Sequence, residues 1–435
     1  MITHELIERI EGEAVIDFRS DKSGSIQEAT IRFLHFRGME AILENRPALD
    51  ALVITPRVCG ICGHSHLIAA ARMLESVYKN RKIKISLSPK AEKIREITRI
   101  CEILQNHLKW LYLVMLQESA KIVGSEPPGA LKALYISSKI NQIAALFSGQ
   151  WPHSSYALPG GVTCDPTHIE VMQALSLLSE VERFVEEEVL GSRSERFSEK
   201  MEPNDLLSLK GDFGTLLRNF EQLELLDQGR SHGRFLVLGE HNSTLSSYIT
   251  DSKKADSDFS LVHEDDSRTF ARGGTTYAKN ALYDGEFVET GPLARALVLA
   301  RPTVRELFSR YGDCAFTRIT ARMDEVVYLT AHVRSLLSTL ELREASFFVP
   351  PPIENLSGEG IGIVEAPRGS LIHKARIEKG KIMEYTIITP TQWNLGNGTA
   401  QSPGIAQKAM IGIGGIAKAS LIFRTFDVCS VCTTH

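Results

Sequence analysis

Four of the chain's seven cysteines fall into two C-x-x-C pairs, Cys59 with Cys62 and Cys429 with Cys432. Two thiols three positions apart on a turn or at a helix start can grip one metal ion, and a helix N-terminus favours the thiolate that binds it. A tetrahedral structural zinc is the plain alternative. Zinc ribbons, however, separate their pairs by roughly 15–20 residues, whereas these lie near opposite ends of a 435-residue chain. A site that joins the two ends of a large protein suits a buried cofactor better than the stapling of a small domain. Thiolates are soft ligands that select among transition metals rather than binding hard cations. Cys101, Cys164 and Cys314 lie singly. An odd count in a long chain speaks against a disulfide framework. Three scattered thiols are also too few for an iron–sulfur cluster, which takes four cysteine ligands, so electrons leaving a redox centre here need another chain.

Strands and long helices flank the two pairs. Residues 1–62 read as extended segments leading into the first pair, with a hairpin turn at Asp21-Lys22-Ser23-Gly24. Over 63–200 the pattern is helical. Ile94, Ile97, Cys101, Leu104, Leu108, Leu111 and Met115 recur every three or four positions, the stripe of a long buried helix. Pro127-Pro128-Gly129 breaks it, and a second long helix fits 167–200, with Glu186, Glu187 and Glu188 on a solvated face. Residues 201–360 mix short strands and loops with helix over 293–345, and 361–435 holds β-branched strands and then the second pair. Without a linker or repeat, 1–435 is expected to form one body, α+β and mostly helical.

Composition narrows the class. Lys plus Arg is 49 against 53 for Asp plus Glu, a net charge of −4, so there is no electrostatic footprint for nucleic acid. Hydrophobic content of 43% with 23% charged residues is globular, which excludes bulk disorder. No apolar run approaches the ~18 residues of a membrane span, and the start MITHELIERIEGEA lacks the basic-then-apolar layout of a secretory signal. A cytoplasmic protein is expected, with export or membrane association through a partner left open. Gly358-x-Gly360-x-Gly362 mimics nucleotide-loop spacing, but no strand-to-helix unit with a downstream acidic residue accompanies it. His107 and Trp110 read as core rather than ligands.

The chain resembles the large subunit of nickel–iron hydrogenases. The family's first signature, R-x-C-G-x-C-x-x-x-H, is met by Arg57, Cys59, Gly60, Cys62 and His66. Its last, D-P-C-x-x-C-x-x-H, is met by Asp427, Cys429, Cys432 and His435, with Val428 replacing the proline. Between them RIEG at 9–12, RGxE at 37–40, GPLAR at 291–295, EAPRG at 365–369 and PTxWN at 390–394 follow in order. The resemblance implies a large-subunit hydrogenase fold with a long-helix core and small antiparallel sheets. It implies reversible oxidation of H2 at a buried nickel–iron centre whose iron carries carbon monoxide and cyanide. Cys59 and Cys429 are then terminal on nickel, while Cys62 and Cys432 bridge to iron. A magnesium ion falls to Glu40, the carbonyl of Ile387 and His435, since a hard cation wants oxygen.

Further roles follow by resemblance alone. Glu11 passes protons from a terminal thiolate. Arg368 hangs over the open metal position to polarise bound hydrogen or take its proton, with Asp427 beside it. Thr391 offers its hydroxyl to a cyanide, and His66 hydrogen-bonds toward a bridging sulfur. Glu118 aligns with an Asp that relatives often carry near the metal, and Glu13 stands where many have His. An iron–sulfur small subunit is the implied electron partner. Because the family's precursors usually carry a tail cut off after the final histidine, maturation proteins and a processing protease are implied partners as well. A hydrogen-sensing subunit with the same cofactor is the alternative. A cofactor-less respiratory-complex relative is disfavoured by the four retained thiols.

Overall fold

The computed structural model describes residues 2–9, 12–239, 247–250, 253–427 and 429. Glu11, Cys432 and His435 therefore lie outside the described residues. Strands β1 (Ile2–Arg9), β2 (Gly12–Ser20) and β3 (Ile26–Arg32) form an antiparallel sheet in that order. The expected hairpin turn is present, with Asp21 Oδ1 accepting the N–H groups of Ser23 and Ser25 at 2.9 and 3.0 Å. The other edge of β3 is closed by the far end of the chain. Asn397 exchanges both its amide groups with the backbone of Ile31, Gln407 donates to Ala29 O, and Ile26 exchanges hydrogen bonds with Ile413 and Gly412. An edge strand left bare would expose unpaired backbone groups. Covering it with residues 397–414 is what carries the second C-x-x-C toward the first.

The helical body begins at α1 (Gly63–Asn80), followed by α2 (Pro89–Trp110), α3 (Leu131–Ser148) and α4 (His168–Phe184). Ser88 Oγ caps α2 by accepting Ala91 N–H at 3.0 Å, and Pro89 supplies the preset first φ. The expected apolar stripe continues past Trp110 as one π-helical turn, Leu111–Met115. The expected helix over 167–200 is shorter. After Phe184 it passes into a π turn over Val185–Leu190 and stops at Gly191, whose φ of 61° no β-carbon residue adopts cheaply. The middle is also more helical than its polar stretches suggested, with an 11-residue helix over Asp212–Gln222.

Helices α5 (Pro292–Val298) and α6 (Ala315–Ser338) lead into a second antiparallel sheet, β4 (Gly358–Ala366), β5 (Gly369–Glu378) and β6 (Lys381–Ile388). Then follow the short α7 (Pro390–Asn394) and α8 (Ile416–Arg424). The Gly-x-Gly-x-Gly run lies on β4 and has a packing role. A β-carbon on Gly362 would sit 1.9 Å from Ala69 O, and one on Gly360 2.3 Å from Met73 O, so only glycine lets β4 lie against the backbone of α1. The main apolar cluster draws on residues from Ala14 to Phe426.

Candidate metal centre

The first pair sits on a loop between a helical turn, Thr55–Val58, and α1. Arg37 pins that loop, its two Nη atoms donating to the carbonyls of Val58 and Arg57 at 2.7 and 2.8 Å. The backbone N–H groups of Ile61 and Cys62 point at Cys59 Sγ from 3.4 and 3.3 Å. Cys62 is the N-cap residue of the 18-residue α1. Amide donors and the positive end of a helix dipole both favour sulfur in its thiolate form. Cys429 Sγ lies 3.8 Å from Cys59 Sγ, and both residues are fully buried. Cys59, Cys62 and Cys429, all reduced, form one small buried cluster with Ile61. Among the described residues no group of three His, Cys, Asp or Glu side chains is placed to hold a metal ion.

Around the thiols the chain is polar and buried. Arg368 donates from Nε to the backbone carbonyl of Asp427 at 2.9 Å and lies 3.4 Å from its Oδ2. Asp427 adopts a left-handed φ of 60°, which turns the chain just before Cys429. Its Oδ2 accepts from Asn106 Nδ2 at 2.6 Å and from Arg322 at 3.1 Å. Gly291 of the GPLAR segment lies against Arg368, where a β-carbon would come within 2.6 Å of the Arg368 carbonyl.

Thr391 stands on α7, whose turn is fixed by Trp393 Nε1 on Ser370 O and by Asn394 on Thr290. The Thr391 hydroxyl is buried and has no hydrogen-bond partner among the described residues. Leaving such a group unpaired costs about 1–3 kcal/mol, which fits a site where a bound group supplies the partner. Soft thiols together with this waiting hydroxyl suit the cofactor that the sequence implies.

His66 is buried, and one ring nitrogen, Nδ1, meets His373 Nε2 at 2.9 Å, while His373 Nδ1 meets the Tyr385 hydroxyl at 2.8 Å. Burial lowers the His66 pKa to about 4, against the opposing pull of the Cys429 sulfur. Burial and the Glu40 charge push Tyr385 well above its ordinary value, so it stays a phenol. Glu40 accepts the N–H of Ile387 at 2.8 Å and faces Lys279 at 3.4 Å, so it stands beside the backbone of the residue whose carbonyl is assigned to magnesium.

Glu118, aligned with an Asp that relatives carry near the metal, lies on the helix Leu116–Val123. It is half-buried and faces Arg424 at 3.7 Å, and Asn106, one turn before the end of α2, is the residue of that helix that reaches Asp427. Glu102 also escaped the sequence reading. It is fully buried and accepts the N–H groups of His64 and Ser65 at 2.7 and 3.0 Å, closing the N-terminus of α1. Burial raises its pKa to about 7, with the Arg368 charge among the opposing effects.

The nickel-dependent hydrogenase family matches residues 37–117 and 240–435. The NAD-reducing hydrogenase HoxS subunit beta of Cupriavidus necator is 26% identical over 475 residues, covering 99% of this chain and 93% of that one. The periplasmic NiFeSe hydrogenase large subunit of Desulfomicrobium baculatum is 25% identical, covering 98% and 93%. The solved Ni-Fe-Se hydrogenase of Desulfovibrio vulgaris Hildenborough superposes with a TM-score of 0.85 at 21% identity, over 100% of both chains. With most of its length matched, both C-x-x-C segments included, the chain belongs to the nickel-dependent hydrogenase family, as a hydrogenase large subunit.

Proposed function

We propose that Cys59, Cys62, Cys429 and Cys432 hold a nickel–iron centre, Cys59 and Cys429 terminal on nickel and Cys62 and Cys432 shared with iron. The observation that carries this reading is the meeting of Cys59 and Cys429 at 3.8 Å inside a buried cluster, across nearly the whole chain. The iron would carry carbon monoxide and cyanide, and the Thr391 hydroxyl would be the donor held for one cyanide. When bound, such a centre supplies the Lewis acidity and redox capacity that split H2 into protons and electrons.

The chain's own groups manage the proton. Cys429 Sγ receives it. Arg368 is an obligate donor, so it orients and polarises, with its Nε fixed on the Asp427 carbonyl. Glu11 takes the proton onward. His66, kept neutral by burial, serves a bridging sulfur with a hydrogen bond. Magnesium on Glu40, the Ile387 carbonyl and His435 ties down the segment that carries Cys429 and Cys432. Electrons leave to an iron–sulfur small subunit. Among the described residues no helix is long and apolar enough to cross a membrane. The cytoplasm is the proposed location unless the partner carries an export signal.

The purified complex should contain nickel and iron in equal amounts, show infrared bands from diatomic ligands and reduce an artificial acceptor with H2. Cys62→Ser should abolish assembly, because an alkoxide bridges soft metals poorly. Zinc alone, without such bands, overturns the reading.

A further inference from the structure

Behind Asp427 runs a set of buried charged side chains that neither the thiols nor the magnesium site uses. Arg322, on α6, donates from Nη1 both to Asp427 Oδ2 at 3.1 Å and to His107 Nδ1 at 2.9 Å. A guanidinium offers no acceptor. His107 Nδ1 is therefore the acceptor, and the imidazole proton sits on Nε2. That nitrogen faces Glu325 Oε2 at 2.8 Å, so its N–H donates to the carboxylate. The ring is neutral, since burial and the Arg322 charge lower its pKa to about 4 against the pull of Glu325. The Arg322 plane is further fixed over the Trp110 ring, 4.6 Å from its centroid.

Glu325 also reaches the other side of Arg368. Its two oxygens take Arg295 Nε and Nη2 at 2.6 and 2.7 Å. Arg295 in turn donates to the carbonyls of Ala366 and Pro367 at 3.0 and 3.2 Å and to Glu365 Oε2 at 3.2 Å. Those carbonyls belong to the two residues immediately before Arg368. Although burial alone would raise it, Arg295 and the His107 N–H hold the Glu325 carboxyl well below the usual carboxylate range. One ion-paired hub thus grips the backbone just before Arg368 through Arg295 and the Arg368 guanidinium through Arg322 and Asp427.

We propose that His107 and Glu325, acting through Arg322 and Arg295, are positioning residues that set the aim of Arg368 at the metal centre. The inference rests on the role given to Arg368 above. None of the four needs to touch H2 or a metal. Their effect is on geometry, and a misplacement of about 1 Å at a catalytic group can cost on the order of 10²-fold in rate.

His107 separates the two halves of the hub. In His107→Asn the side-chain oxygen replaces Nδ1, keeping the acceptor for Arg322 and losing the reach to Glu325. In His107→Gln the amide nitrogen replaces Nε2, keeping the donor to Glu325 and leaving Arg322 without its second acceptor. Glu325 retains its bidentate Arg295 either way. With the assembled complex, His107→Asn should keep H2 turnover within about threefold of wild type, and His107→Gln should lose about tenfold or more, each with unchanged nickel content. Crystal structures of the two variants should show the Arg368 Nε contact to the Asp427 carbonyl kept in the Asn variant and broken in the Gln variant. Equal turnover in the two variants, or an unmoved Arg368 in His107→Gln, overturns the inference. A wild-type complex that holds nickel but turns over no H2 would instead refute the role of Arg368 itself, and the crystallographic comparison still decides whether the hub positions it.

Discussion

Gly362→Ala adds one methyl group at the point where β4 meets α1. The new carbon would stand 1.9 Å from Ala69 O and 2.5 Å from Met73 N, where ordinary contact begins at 3.4 Å. Both atoms belong to the helix backbone, so no rotamer change relieves the clash. Strand and helix must separate by about 1.5 Å, and overpacking of this kind typically costs ~1–3 kcal/mol. The displacement matters more than its energy, because α1 has Cys62 as its N-cap residue and carries His66 in its first turn. The expected result is a lowered thermal midpoint together with depressed nickel occupancy, measured by calorimetry and elemental analysis on the purified complex. Gly129→Ala, where nothing lies within 4 Å of the added carbon, is the matched control. A Gly362→Ala protein with wild-type melting and full nickel would refute the claim that this glycine sets the position of α1.

Glu102 should leave a signature in stability against pH. Its folded pKa of about 7 exceeds its ordinary 4.5, so its contribution is fully present below about 4.5 and is lost as pH rises through 7, a swing of about 3 kcal/mol. Glu102→Gln should remove that swing, seen as a melting-temperature difference from wild type that grows between pH 5 and pH 8. A difference that stays constant over that interval would count against the raised pKa. For Glu11→Gln the centre should still assemble with normal infrared bands, while hydrogen–deuterium exchange falls by about 10²-fold or more. Wild-type exchange would move the start of the relay elsewhere.

The metal ligands were legible because thiols are rare and their spacing is chemical, and the three β-rich runs before PTxWN were legible because alternation and β-branching survive any packing. What the sequence hid lies on helices buried all round. Along α2 the apolar stripe gives no sign that Glu102 and Asn106 are as buried as Leu104 and Leu108, although His107 did read as core. Periodicity marks one face as inside, and here every face is. Asn106 in particular could not be told from a surface residue until Asp427, more than three hundred positions later, was placed beside it. Gly360 and Gly362 spoke only of a missing side chain, and whether a phosphate or a helix fills the space is a tertiary fact. The early end of α4 hid for a different reason, since residues past 190 keep helical composition and one left-handed glycine stops the helix.

Helix α6 carries its charges inward. Arg318 grips Glu289 through two bonds of 2.8 and 2.9 Å, Arg322 meets Asp427, and Glu325 meets Arg295, all nearly inaccessible to solvent. An apolar helix can slide by a turn and still bury hydrocarbon. This one cannot. A slip of about 5.4 Å would strand each ion beside the wrong neighbour, at several kcal/mol apiece. Seating is therefore all-or-none, with no half-docked arrangement of comparable energy for the helix to visit. Partial openings that frequently expose other segments should bypass α6, so its backbone amides should exchange with solvent deuterium only when the whole protein unfolds.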